Sequence, residues 1–387
     1  MSAPKQSSTN ISLTAALVVA GLTIAGSFPA ASAATKPGPG AFPPAKTKAI
    51  DQVVEDVMAT QNVPGVNLAV RAPGRSYRRS YGVADIATGA PMAPRYTVRM
   101  ASISKTFTAV AVLRLVDQGR LGLSDKLAHY VKGVDNGRQI TIRQLLGMTG
   151  GIYDFTRDEQ FNAAFSANPL YPGWKPRDVL AILKRHRPDF RPGKMVSYSD
   201  SNYILLGMII EKVTQKPAKW AIDRLTERAG LRSTTFPTGA RLRPPFARGY
   251  YAGDMGDQSL ADYTLVNPDV PWTAGNMTTT IGDMQRWAVK LGTGQLISER
   301  LFRAQRRFRP IPNPGGPKVG YGLGLFRIDD WIGHNGAIYG FNTVMFYLPS
   351  KRATIVISAN KSTNFSSETL DMFLPIAKSL YPRSVSP

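Results

Sequence analysis

The sequence contains no cysteine. That excludes a thiolate nucleophile, thiolate metal sites, disulfides and a lipidated cysteine. A chain of 387 residues can bury a core large enough to stand without disulfides. Histidine is nearly absent: His129, His186 and His334 lie far apart, with no H-x-x-x-H pair. Metalloenzyme chemistry is therefore not expected, and no cofactor is implied. Acidic residues are scarce, 26 against 48 lysines and arginines, which leaves a net charge of +22. Such charge draws a protein towards polyanions. No nucleic-acid fold signature accompanies the basic clusters at Arg75, Arg78 and Arg79, at Lys184, Arg185 and Arg187, or at Arg303, Arg306, Arg307 and Arg309. Nucleic acid is thus not the expected partner. An anionic cell-wall polymer is, beside the plainer reading of a solvated basic surface.

Long apolar runs are also missing, apart from residues 11–26, ISLTAALVVAGLTIAG. That run is shorter than the ~20 apolar residues a spanning helix needs. It is interrupted by Ser12, Thr14, Gly21 and Thr23. With Lys5 before it and the A-x-A pattern Ala31–Ala33 after it, residues 1–33 read as a secretory signal peptide, with a membrane anchor as the alternative. The expected location is secreted or cell-wall associated, with no integral membrane segment after cleavage and a monomeric state.

Beyond it, residues 34–48 are rich in Pro and Gly and read as a tether. A domain over 49–383 follows. Its apolar spacing predicts a helix over 50–61, then a β-hairpin region. A helix over Ser102–Gln118, apolar on almost every side, ends at Gly119. Residues from about 120 to 275 read as mostly helical. One helix starts at Thr141 and is stopped by Gly150 and Gly151; another spans 202–214. A further helix is expected over 282–294, strands over 320–329, 340–349 and 352–360, and a last helix near 367–380. Strands at both ends of the chain can complete one antiparallel sheet flanked by helices. The expected fold class is therefore α/β, of the α+β kind, with a mostly helical inserted lobe and a cleft between the two parts.

One stretch, RMASISKTFTAVAVLRL, puts Lys105 at the head of the helix that the chain buries. A buried ammonium is costly unless paired, and its pKa falls. Ser102 precedes it by three residues, on the same helical face. Two other S-x-x-K pairs exist, Ser2–Lys5 and Ser358–Lys361, but neither heads a buried helix. At Ser102 the free N–H groups of the helix start can also bind a developing oxyanion. Further on stand YSDSNYILLG from Tyr198 and GHNGAIYGFN from Gly333. Singly, each has an ordinary explanation: Tyr198 as a half-buried tyrosine, His334 as a strand residue, Asp200 and Asn202 as caps. Trp174 and Trp272 read as packing residues. A Ser–His–Asp triad fits less well, since no G-x-S-x-G elbow appears.

The ordered set S-x-x-K, Y-x-D, H-x-G resembles the serine β-lactamase and penicillin-binding protein superfamily. The likeness is strongest to class C β-lactamase-like and D-alanyl-D-alanine carboxypeptidase-like enzymes. It runs from about residue 49 to 380 and includes ISKTFTA, IRQLLGMTGGIYDF, AGNMTTTIGDM and GYGLG. It implies a β-lactamase/transpeptidase-like fold and a serine hydrolase that works without a cofactor. Ser102 would be the acyl-accepting nucleophile, with Lys105 and Tyr198 sharing the proton work. Tyr198 would act as a base through a pKa lowered by the lysine. Asp200, where the family usually has Asn, would orient the substrate amide or hold Lys105. His334 and Gly336 match the K-T-G or H-T-G motif, with Asn335 in place of Thr or Ser. The N–H groups of Ser102 and Ala337 would form the oxyanion hole. The implied first choice is a D-alanyl-D-alanine carboxypeptidase-like enzyme acting on a peptidoglycan-type peptide or another small acyl substrate. An esterase or a β-lactamase on the same scaffold is the runner-up. A wall-binding or penicillin-sensing module with little turnover is the reading from outside enzymology.

Overall fold

A computed structural model describes residues 40–253, 259–363 and 367–386. The expected signal peptide, residues 34–39 of the expected tether, and the Ser2–Lys5 pair lie outside the described residues. The first helix, α1 (Pro44–Thr60), begins earlier than the sequence pattern predicts and takes in the end of the expected tether. Pro44 at its first position explains this, because that residue's missing N–H would have had no partner in any case.

The centre is a nine-stranded sheet. Its strands in chain order are β1 (Gly65–Ala72), β2 (Arg75–Asp85), β3 (Ala90–Pro91), β4 (Arg309–Ile311), β5 (Val319–Tyr321), β6 (Phe326–Ile328), β7 (Trp331–Ile338), β8 (Phe341–Leu348) and β9 (Ala353–Ala359). Their spatial order is β3-β2-β1-β9-β8-β7-β6-β5-β4, every pair antiparallel. The amino-terminal hairpin therefore docks on the carboxy-terminal strand, with Val66 opposite Ala359 and Arg71 opposite Thr354. This is the α+β sheet closed from both chain ends that the strand pattern implies. The expected strand over 320–329 is divided into β5 and β6 by a turn at Gly324, where φ is +78°.

The helices between are α2 (Ser104–Asp117), α3 (Ile142–Leu146), α4 (Glu159–Ala167), α5 (Val179–Arg185), α6 (Asp200–Thr214), α7 (Ala218–Arg228) and α8 (Trp272–Gly275); α9 (Ile281–Gly292), α10 (Glu299–Gln305) and α11 (Glu368–Leu380) follow. Both sheet faces are covered. Phe346 on β8 stacks on Phe373 of α11 at 4.7 Å, while its neighbour Tyr347 meets α9 at Gly292. Adjacent strand residues point to opposite faces, so the two helices lie on opposite sides. Trp287 of α9 stacks on Phe107 of α2 at 3.9 Å and donates its Nε1–H to Thr106 Oγ1 at 2.7 Å. That contact ties α2 to α9, the helix that packs on the sheet. Trp174 and Trp272 are both buried, as packing residues should be.

Helix α3 is shorter than the sequence pattern suggests. Thr141 caps it in a capping box with Gln144, but the helix stops at Gly147 rather than at Gly150–Gly151. Gly151 instead has φ +71° and brings its backbone against Phe190, whose carbonyl oxygen would lie 2.0 Å from any Cβ. Helix α6 crosses α8 over Gly207, where a Cβ would lie 2.3 Å from Thr273 Oγ1 and 2.4 Å from the Trp272 ring. Overpacking such a crossing costs about 1–3 kcal/mol. Gly207→Val is expected to lower unfolding free energy by about 3 kcal/mol in urea titration; an unchanged midpoint would mean the crossing can part freely.

Candidate active site

Ser102 lies on a 3-10 turn, Ala101–Ile103, that leads into α2. Ala101 holds φ at +48°, a left-handed conformation that is strained for alanine. The turn is pinned to the sheet by Thr343 Oγ1, which donates to the Met100 carbonyl at 3.1 Å. One helical turn on, Lys105 is fully buried. Its Nζ donates to Ser102 Oγ at 2.9 Å and to the Ala274 carbonyl at 2.8 Å, and pairs with Asp200 Oδ1 at 2.5 Å. The ammonium also lies 4.9 Å from the centroid of the Tyr198 ring. Burial pulls the Lys105 pKa below the usual lysine range, with the Asp200 and Asp154 carboxylates opposing it. A buried amine with a depressed pKa, in hydrogen-bond contact with a serine hydroxyl, is a competent general base.

For Tyr198 the pKa moves the opposite way from the expected lowering. Its hydroxyl is buried without a hydrogen-bond partner of good geometry, and burial, then the Asp200 charge, hold its pKa well above the usual tyrosine range. Both favour the neutral phenol over a phenolate. A neutral phenol can donate or relay a proton, and Lys105 Nζ is the group in hydrogen-bond contact with the Ser102 hydroxyl.

Asp154 is the residue that sequence reasoning missed. It is fully buried and caps the turn Phe155–Arg157, and its Oδ1 accepts from the N–H groups of Thr156 at 3.2 Å and Asp200 at 3.3 Å. Among the described residues its Oδ2 has no hydrogen-bond partner. Burial and then the Asp200 charge push its carboxyl up to about 7. It stands inside the family-like stretch GIYDF, yet one aspartate without a spacing rule carries no signal.

Strand β7 forms the other wall. His334 is fully buried, with Nδ1 at 2.5 Å from the Asn335 carbonyl and Nε2 at 3.4 Å from Tyr321 Oη. Burial, with the Lys105 charge behind it, lowers its pKa to about 3. Asn335 is half-buried and meets the histidine through its backbone carbonyl. At Gly336 any Cβ would lie 2.7 Å from both Ser102 N and the Met100 carbonyl oxygen, so only glycine lets the strand approach Ser102 this closely. Strand β6 pairs with β7 only as far as Gly333, and leaves its edge from His334 onward without a strand on that side among the described residues. Ser102, Asp200 and Ala337 all line one narrow cavity of ≈ 40 Å³, whose other walls include Phe155, Phe161 and Ile338. Ser358 and Lys361, by contrast, take no part: Ser358 is buried on β9 and Lys361 reaches the Gln61 carbonyl.

The state of His334 is testable. The unfolded imidazole takes its proton near pH 6.5, the folded one only near pH 3. In that window the unfolded chain binds more protons, so stability falls as pH falls, by up to about 1.4 kcal/mol per pH unit. Between pH 7 and 4.5, His334→Gln is expected to lose about 2 kcal/mol less than the wild type in urea unfolding. Equal losses would mean the folded histidine is not held neutral.

Among the described residues no group of three or more His, Cys, Asp or Glu side chains is placed to hold a metal ion. A family model described as Beta-lactamase matches residues 50–374. The chain is 27% identical over 328 residues to Protein flp of Staphylococcus aureus (strain MW2), covering 82% of this chain and 63% of that protein. It is 25% identical over 334 residues to Penicillin-binding protein 4* of Bacillus subtilis (strain 168), covering 82% of this chain and 72% of that one. Among solved structures, a D-stereospecific amidohydrolase from Streptomyces sp. superposes with a TM-score of 0.77 at 29% identity, over 87% of this chain and 98% of that one.

Proposed function

The chain belongs to the beta-lactamase family of serine hydrolases, and on that premise we propose that it hydrolyses amide or ester bonds of D-amino-acyl substrates through an acyl-enzyme on Ser102. In this reading Lys105 Nζ takes the hydroxyl proton as Ser102 Oγ forms a bond to the carbonyl carbon. The carbonyl oxygen becomes an oxyanion between the N–H groups of Ser102 and Ala337. The amine or alcohol leaves with a proton relayed through Tyr198. Water, deprotonated at the same lysine, then cleaves the ester and restores the serine. Asp200 holds the lysine in place and tunes its basicity.

The observation that carries the choice of substrate is the charge of the cleft. Its lining has one carboxylate, Asp200, and no lysine or arginine, and His334 is neutral. Lys105 Nζ lies 2.9 Å from Ser102 Oγ but is already paired with Asp200, so a free carboxylate beside the scissile bond would find no unpaired cation in this lining, whereas a neutral amide or ester would meet no penalty. The D configuration is supported by the likeness to the Streptomyces amidohydrolase. A D-alanyl-D-alanine carboxypeptidase is the second reading, favoured by the likeness to Penicillin-binding protein 4*. Secretion, and contact of the +22 surface with anionic wall polymer, belong to the same proposal.

The test compares kcat/KM for D-phenylalanine amide, its L enantiomer and a D-Ala-D-Ala-ended peptide. The D amide is expected to exceed both others at least tenfold. A peptide preferred by tenfold would establish the carboxypeptidase reading instead. Equal rates for the two enantiomers would overturn the D-specific assignment.

A further inference from the structure

The nucleophile's cavity is small. A much larger one, ≈ 380 Å³, lies at the far end of the same helix, between the last turn of α2 and the face of α7. Ser102 and Arg114 are twelve residues apart, so the two places are separated by roughly 18 Å along α2. Arg114, Arg120, Arg224 and Arg228 all line this second cavity, with Glu227 as its one carboxylate and Trp220 as its exposed aromatic wall. Four positive charges against one negative leave +3.

Six arginines elsewhere, Arg79, Arg157, Arg185, Arg248, Arg286 and Arg303, each meet a carboxylate. None of the four cavity arginines does so among the described residues. Two of them are instead fixed by backbone carbonyls. Arg114 Nη1 donates to Leu296 O at 2.9 Å and Arg120 Nη2 to Val213 O at 2.6 Å. Arg224 lies over the Trp220 ring at 5.2 Å. Burial, and then the charge of Arg228, hold the Arg114 pKa below the usual arginine range, so the cluster carries like-charge repulsion that an anion would relieve. Guanidinium groups held in place, with donors to spare, match the oxygens of phosphate. One phosphate group carries about −1.5 to −2 near neutral pH, so two linked phosphates come close to balancing +3.

We propose that this cavity is a binding site for a compact oligophosphate, two linked phosphate groups held by Arg114, Arg120, Arg224 and Arg228. It is separate from the hydrolytic site and does not depend on the reaction assigned there. It also gives part of the +22 charge a defined place to act, in contrast to a diffuse solvated surface.

The test is calorimetric titration of the full chain with inorganic pyrophosphate at physiological salt. Arg224→Gln/Arg228→Gln is set beside Lys184→Gln/Arg187→Gln, which removes the same charge from another basic cluster. Arg224 and Arg228 are exposed, so the first variant is expected to fold as the wild type does, and its melting temperature checks this. The expected result is measurable binding that weakens at least tenfold in the first variant and less than twofold in the second. Equal weakening in both, or no binding by the wild type, would overturn the proposal. A parallel titration with methyl diphosphate separates sources: binding of both ligands means a diphosphate ester can enter, and binding of pyrophosphate alone means the site takes the free anion.

Discussion

Ser102→Ala is expected to reduce hydrolysis by between about 10³- and 10⁶-fold, with the melting temperature close to that of the wild type. The hydroxyl accepts from Lys105 Nζ at 2.9 Å and neighbours the Tyr198 side chain, and the Ser102 side chain is half-buried, so its loss leaves little of the fold unsatisfied. What is lost is the one serine oxygen among the described residues that lines this cavity with Ala337. Without it no ester forms and the reaction must go by direct attack of water. A Ser102→Ala protein that kept wild-type turnover would remove Ser102 from the mechanism altogether.

The second large effect concerns the buried amine. Lys105→Met keeps much of the side chain's volume but removes the proton acceptor, and is expected to slow acylation by about 10²- to 10⁴-fold. It also leaves Asp200 beside an apolar side chain, although that carboxylate keeps 17% of its surface in water. Breaking a buried ion pair costs about 3–5 kcal/mol, and this partial hydration should hold the loss below that range. Asp200→Asn gives the sharper test. The Asp200 carboxylate favours the ammonium form of Lys105. Its removal lowers the lysine pKa, so the free amine persists to lower pH. The acid limb of the kcat/KM profile should therefore move to lower pH in Asp200→Asn. A limb that stays in place, or moves up, would mean that Lys105 is not the base.

Much of this site is visible in the amino-acid order. Ser102 and Lys105 stand three apart at the head of a helix that has no polar face, and that combination requires a partner for the lysine. The alternating and continuous apolar runs after residue 319 mark the carboxy-terminal strands, because a strand covered on both faces is mostly apolar, as β8 is apart from Asn342 and Thr343. What sequence could not supply is the balance of charges inside the lobe. The expectation of a lowered Tyr198 pKa counts one cation and omits the burial and the Asp200 carboxylate that reverse it. Asp154 comes from a segment 46 residues before Asp200, and only the fold brings them together. The early start of α1 and the early end of α3 are decided by single residues, Pro44 and Gly147, that periodicity does not weigh.

The most direct test of the account is the mass of the protein caught in the act. Wild type mixed with a D-phenylalanine ester, quenched in acid within milliseconds and mapped by peptide mass, should carry one D-phenylalanyl group on the peptide containing Ser102, and Ser102→Ala should carry none. An acyl group on any other residue, or rapid hydrolysis that leaves no adduct and persists in Ser102→Ala, would contradict it.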